Sequence, residues 1–253
     1  MITSNAIKNF FTRKKIIIIS ILLVVCIGLV FAMNSLFYHG DTAALTSLQS
    51  TSTITVVEKN DYYAFVPNEN ANESAFILYP GALVDAESYA PLMAELAEKG
   101  YTSFIAKMPF NMAILKGNAA DRIIADYPQI TNWYIGGHSL GGVMASNYAD
   151  KHPDLIKGIA FLASYPNKDL ADQDIKVVSL YGTNDHVLNM SAYKEATELL
   201  PTDSSNYTEI PIPGGNHASF GNYGPQSGDG ELTISPQEQQ AITLEALTTL
   251  MQE

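Results

Sequence analysis

Cysteine is nearly missing from this chain of 253 residues, which has only Cys26. It falls within an apolar run near the start, so the rest can form no disulfide and no thiolate-ligated metal site. Basic residues are scarce too, 14 against 26 acidic ones. Four of them, Lys8, Arg13, Lys14 and Lys15, precede position 34, where no acidic residue occurs. The remainder therefore sets ten basic against 26 acidic residues, a net of −16, with no basic patch to relieve it. Such a surface repels nucleic acid and anionic lipid, and no nucleic-acid partner is expected. Repeats, low-complexity tracts and a G-x-G-x-x-G fingerprint after a strand are also lacking. No histidine pair has ligand spacing on a helix, and Asp85, Asp203 and Asp229 read as solvated surface, so neither metal nor cofactor is expected.

One long charge-free run is present. Residues 1–15 form a polar, basic head, and residues 16–33 follow as 18 positions without a charge. That is just long enough to span a bilayer, and flanking cations keep the head cytoplasmic and send the rest outward. The expectation is a single-pass signal-anchor in the cell membrane with an extracytoplasmic domain. Cleavage after Ala32, where Val30 and Ala32 supply small residues, is the alternative and gives a secreted protein. Residues 34–51, small and Ser/Thr-rich, read as a stalk, and residues 52–253 as one domain.

That domain opens with a hairpin: 52–57 alternates as an exposed strand, 58–61 turns, and 62–66 returns. From position 75 short apolar strands alternate with helices, the signature of a mostly parallel sheet covered on both faces. Strands are expected at 75–79, 103–107, 132–135, 157–162, 175–181 and 207–212. Helices are expected at 87–99, stopped by Gly100, then at 119–127, 141–151, 191–200 with Ser191 as cap, and 236–251 with Ser235 as cap. About a dozen residues separate the strand at 157–162 from the next, which leaves no room for a lid domain.

The chain turns on Gly137-His138-Ser139-Leu140-Gly141. An apolar strand enters it, a helix leaves it, and glycines stand two positions either side of the serine, where a nucleophile elbow excludes a Cβ. A serine hydroxyl needs a histidine to take its proton and a carboxylate to orient that histidine, in the chain order Ser, acid, His. Of five histidines, His39 lies in the stalk, His138 precedes the serine and His152 ends its helix. His217, in the glycine-rich loop after the last strand, is the expected base. Asp185, after Tyr181-Gly182-Thr183-Asn184, is the expected acid, with neighbouring His186 turned to solvent or substrate. The oxyanion donors are expected to be the N–H of Leu140, at a helix N-terminus, and that of Ala82, with Leu83 behind it. Tyr165, Phe220 and Tyr223 lie in loops near this site and are candidates to line it.

From the segments Tyr79-Pro80-Gly81-Ala82, Gly137-His138-Ser139-Leu140-Gly141-Gly142, Gly182-Thr183-Asn184-Asp185 and Gly215-Asn216-His217, residues 75–253 resemble an α/β-hydrolase. They are most similar to the small, lidless esterase group that includes dienelactone-hydrolase-like proteins. The resemblance implies Ser139 as nucleophile, Asp185 as acid and His217 as base, acting on a small-molecule carboxylic ester. Dienelactone hydrolases carry cysteine where this chain has Ser139, which removes their particular substrate, and many relatives have histidine where Pro80 stands. An acyltransferase would use the same triad. A non-catalytic, membrane-tethered binding protein on the same scaffold is the reading from a different class.

Overall fold

The computed structural model describes Gly28 and residues 35–252. The expected head, membrane span and Cys26 lie outside the described residues. Among the described residues no helix is long and apolar enough to cross a membrane. The chain divides into two compact units, Met1–Phe37 and Tyr38–Glu253, and all elements below belong to the second.

Among the described residues eight strands form one sheet: β1 (Ile54–Glu58), β2 (Tyr62–Pro67), β3 (Ser74–Tyr79), β4 (Thr102–Ala106), β5 (Asn132–His138), β6 (Ile156–Leu162), β7 (Lys176–Gly182) and β8 (Tyr207–Ile212). Their spatial order is β1-β2-β4-β3-β5-β6-β7-β8. The hairpin of β1 and β2 is antiparallel and β2 joins β4 antiparallel; every other pairing is parallel. Among the described residues six α-helices accompany them: α1 (Thr42–Thr46), α2 (Ala90–Glu98), α3 (Ala119–Asp126), α4 (Leu140–Lys151), α5 (Met190–Ala196) and α6 (Pro236–Gln252).

Side-chain alternation along β3 shows why both faces must be covered. Phe76 and Leu78 enter a core shared with α2 and α6, whereas Ala75, Ile77 and Tyr79 enter a second core shared with α3 and α4. All six residues of β3 are buried, as a central parallel strand requires. Between β6 and β7, residues 163–175 form turns and bends without a helix.

Several boundaries differ from expectation for local reasons. Pro91 lacks an N–H and confines the start of α2, so Ala86–Tyr89 forms a separate 3-10 turn before it. Helix α5 is capped by Asn189, which accepts from Ala192 N–H at 3.1 Å, rather than by Ser191. At α6, Ser235 and Glu238 cap each other reciprocally, with Ser235 N–H donating to Glu238 Oε2 at 2.7 Å and Glu238 N–H to Ser235 Oγ at 3.2 Å. Gly100 has φ +94°, the left-handed position expected of it.

Part of the stretch expected as a stalk is folded against the domain. Tyr38 N–H donates to Leu83 O and Tyr38 O accepts from Asp85 N–H, while Asp41 N–H reaches Asn222 O. Asp41 caps α1 through Ala44 N–H, and Ala44 is fully buried. Small polar composition resembled a linker here because only one side of this five-residue helix is buried. His39, read as a stalk histidine, holds Asp85 at 2.7 Å.

Candidate active site

The glycines of the elbow are required by proximity. A Cβ on Gly137 would stand 2.3 Å from the Gly141 carbonyl carbon, and one on Gly141 would stand 2.1 Å from Tyr79 O. Between them Ser139 has φ 52° and ψ −124°, a backbone region costly for any residue with a side chain. The strain is held by hydrogen bonds on both sides of the residue. Ser139 N–H donates to Leu162 O at 2.9 Å, and Ser139 O accepts from Ser164 Oγ at 2.6 Å and Gly142 N–H at 3.0 Å.

Asp185 and His217 come from the loops after β7 and β8, the last two strands in the sheet. Gly182 and Gly215 let those loops touch, since a Cβ on Gly182 would lie 2.2 Å from the Gly215 carbonyl carbon. His217 Nδ1 lies 2.8 Å from Asp185 Oδ2, and both side chains are buried. The other Asp185 oxygen accepts the N–H groups of Val187 and Leu188, each at 2.8 Å. With Oδ2 on His217, the carboxylate is satisfied and fixed. His217 Nε2 is buried and has no hydrogen-bond partner; no bond joins it to Ser139 Oγ. The ring adjacent to the serine, His138, has its centroid 4.5 Å from the His217 ring, so serine and imidazole share one neighbourhood.

The loop after β3 is pinned nearly everywhere. Gly81 N–H donates to the Tyr89 hydroxyl at 3.0 Å, Leu83 N–H to Asn111 O at 2.8 Å, and Val84 N–H to Gly81 O at 3.3 Å. Among the described residues, the Ala82 N–H alone of these four has no acceptor. Leu140, the first residue of α4, likewise lies before the helix's internal bonding begins. Leu83 adopts φ +62°, which turns the loop inward although it is not a glycine.

Other expected positions are sorted by burial. Phe220 and Tyr223 are buried and pack on His138, at centroid distances of 5.8 and 6.4 Å, and so back the site rather than line its open side. Tyr165 is half-buried, His186 is exposed, and His152 stacks on Tyr148 at 4.3 Å. A groove of about 260 Å³ lined by Val178, Thr208, Ile242 and Leu250 lies at the amino ends of β7 and β8, the opposite end of the strands from Ser139.

Sequence patterns missed the groups that hold the His217 loop. Asp229, expected as solvated surface, accepts His217 N–H at 3.2 Å through Oδ1 and Ala218 N–H at 2.8 Å through Oδ2. Asp85, also read as solvated, bonds Asn111 Nδ2 at 2.6 Å and so braces the β3 loop. Gln239, fully buried on α6, grips Asn216 at both ends, Oε1 accepting its N–H at 3.0 Å and Nε2 donating to its carbonyl at 2.8 Å. The Gly228-Asp229-Gly230 turn was the one available signal, because an acid between glycines is an Asx-turn former. Asp203 is a surface group, as expected, and its carboxylate accepts the Ser205 N–H at 2.9 Å.

A strained serine after the fifth strand of a mostly parallel sheet, with an acid–histidine pair after the seventh and eighth, defines a hydrolase of the α/β type. The chain belongs to the Alpha/beta hydrolase family, whose model matches residues 75–241. No curated protein matches the chain. Among solved structures it is similar to a predicted CIB-like hydrolase from Thermoplasma acidophilum (19% identity, 77% of this chain and 96% of that one, TM-score 0.54). It is also similar to an esterase from Pyrobaculum calidifontis (12%, 82% and 91%, 0.59) and carboxyl esterase 2 from Tuber melanosporum (11%, 85% and 91%, 0.61). At these identities the likeness is one of fold.

Proposed function

We propose that the protein is a serine esterase that cleaves small carboxylic esters through an acyl-enzyme. Ser139 Oγ attacks the ester carbonyl while His217 Nε2 takes its proton, and Asp185 stabilises the resulting imidazolium through Nδ1–H. Negative charge on the former carbonyl oxygen is received by the N–H groups of Leu140 and Ala82. Collapse expels the alcohol, protonated by His217. Water, deprotonated by the same ring, then attacks the acyl-serine, and the acid leaves as Ser139 regains its proton.

The observation that carries this reading is the buried 2.8 Å contact of His217 with Asp185 close to a serine held at positive φ. The free Ala82 N–H supports its assignment as the second oxyanion donor. With no lid between β6 and β7 the serine is reached from the surface, which favours short or exposed acyl groups over long lipid chains. The charge-free run at 16–33 after a basic head supports a membrane-tethered enzyme with its catalytic domain outside the cell.

A fluorophosphonate probe tests the mechanism. Labelling is expected at Ser139 and is lost in Ser139→Ala and strongly slowed in His217→Ala, with hydrolysis of acetyl and butyryl esters lost in parallel. Undiminished ester turnover in Ser139→Ala would refute the assignment, as would preferred turnover of long-chain triglycerides for the open site.

A further inference from the structure

The residue before the nucleophile has no role in the mechanism above, yet it is one of the most enclosed polar groups of the molecule. His138 is fully buried, and burial holds its imidazole well below the ordinary histidine range, with the neighbouring His217 adding to that effect and the His217 backbone partly opposing it. Its Nδ1 lies 2.8 Å from the hydroxyl of Tyr89, also fully buried. That hydroxyl already accepts the N–H of Gly81 at 3.0 Å. A hydroxyl has one proton to give, and among the described residues His138 Nδ1 is the acceptor within its reach; in that arrangement the hydrogen of the neutral ring sits on Nε2, which is buried and has no hydrogen-bond partner. Gly81 fits tightly over this pair, since a Cβ on it would lie 2.7 Å from His138 Nδ1 and 3.2 Å from the Tyr89 oxygen.

A chain of two hydrogen bonds thus runs from the strand that presents Ser139 to the loop that presents the Ala82 N–H. We propose that Tyr89 and His138 are positioning residues: His138 Nδ1 orients the Tyr89 hydroxyl, the hydroxyl fixes Gly81, and the Ala82 N–H is thereby aimed at the oxyanion. The inference rests on the triad reading given above. Neither residue touches substrate. Their contribution is to hold a donor at a set distance from Ser139, and a displacement of about 1 Å in such a group costs on the order of a hundredfold in rate.

The test uses the full chain with three variants, Tyr89→Phe, His138→Asn and His138→Leu. Functional sites are counted by fluorophosphonate labelling, so that kcat is expressed per labelled site and unfolded protein drops out. In Tyr89→Phe, kcat on a butyryl ester is expected to fall about ten- to hundredfold, with KM changed less than about twofold. Affinity for phenylboronic acid, whose tetrahedral adduct on the serine occupies the oxyanion position, falls by the same factor as kcat. His138→Asn, whose Oδ1 can accept where Nδ1 did, retains more activity per site than His138→Leu.

A kcat per labelled site within twofold of the parent in Tyr89→Phe overturns the proposal, even if the melting temperature drops, since that is the signature of a packing role. A fall in kcat with boronic acid affinity unchanged overturns it as well. Failure of the parent protein itself to label, with Ser139→Ala still hydrolysing esters, instead removes the triad and this inference with it.

Discussion

The Asp185 carboxylate is held by three protein partners, the His217 ring and the N–H groups of Val187 and Leu188. Replacing it with Asn keeps the shape but presents a donor or a neutral oxygen to Nδ1, and the imidazole loses its orientation and its counter-charge. Asp185→Asn is therefore expected to lower kcat by about 10³- to 10⁴-fold with little change in melting temperature. A loss below tenfold, measured with a short ester, would remove Asp185 from the mechanism. His138 carries a second prediction. Because its folded-state affinity for protons is depressed, the unfolded chain binds a proton below about pH 6.5 that the native protein refuses. Stability from this group is thus complete above that pH and is lost on acidification, at up to about 1.4 kcal/mol per pH unit. Urea unfolding between about pH 7.5 and pH 5 should show the slope, and His138→Leu should flatten it.

Secondary-structure elements place the groups of the proposed triad, but their junctions decide whether the groups meet. The loops after β7 and β8 meet because Gly182 and Gly215 let their backbones touch, and the loop after β5 closes on the end of β3 through Gly141. Gly141→Ala would drive a Cβ to 2.1 Å from the Tyr79 carbonyl oxygen, backbone against backbone with no side chain able to yield. The variant is expected to fail to accumulate as folded protein, judged by near-UV circular dichroism. Helix α6 acts on the same site from behind. Gln239→Leu strips both partners from the buried Asn216 backbone and is expected to cost about 2 to 4 kcal/mol in urea unfolding. It should also slow turnover by loosening the loop that carries His217; unchanged stability would show that these bonds are replaced by others.

Tyr38 and α1 make the folded body begin earlier than the strand pattern suggests. A chain starting at residue 35 keeps the Tyr38 bonds to Leu83 and Asp85, the Asp41 bond to Asn222 and the Tyr38–Tyr223 ring contact at 5.5 Å. A chain starting at residue 52 loses all of them. The shorter protein is expected to be less stable by about 2 to 4 kcal/mol, counting roughly 1 kcal/mol per lost hydrogen bond and the burial of Ala44. Since Tyr38 braces Leu83 directly beside Ala82, its kcat should fall as well. Equal melting temperatures would restore the linker interpretation of residues 34–51.

Period and punctuation carried most of the architecture. The alternation of apolar strands with helices, the elbow glycines and the required order of serine, acid and base are all local features, and they located the eight strands and the residues of the His217–Asp185 pair. What local patterns could not contain is any partnership between positions far apart in the chain. Asp229 with the His217 backbone, Gln239 with Asn216, Tyr89 with Gly81 and His138, and Tyr38 with Leu83 are polar contacts formed only once the strands and their loops are assembled. A hydrogen-bonding side chain looks the same in sequence whether water or a buried backbone group completes it. Burial makes that choice, and burial is a property of the assembled fold.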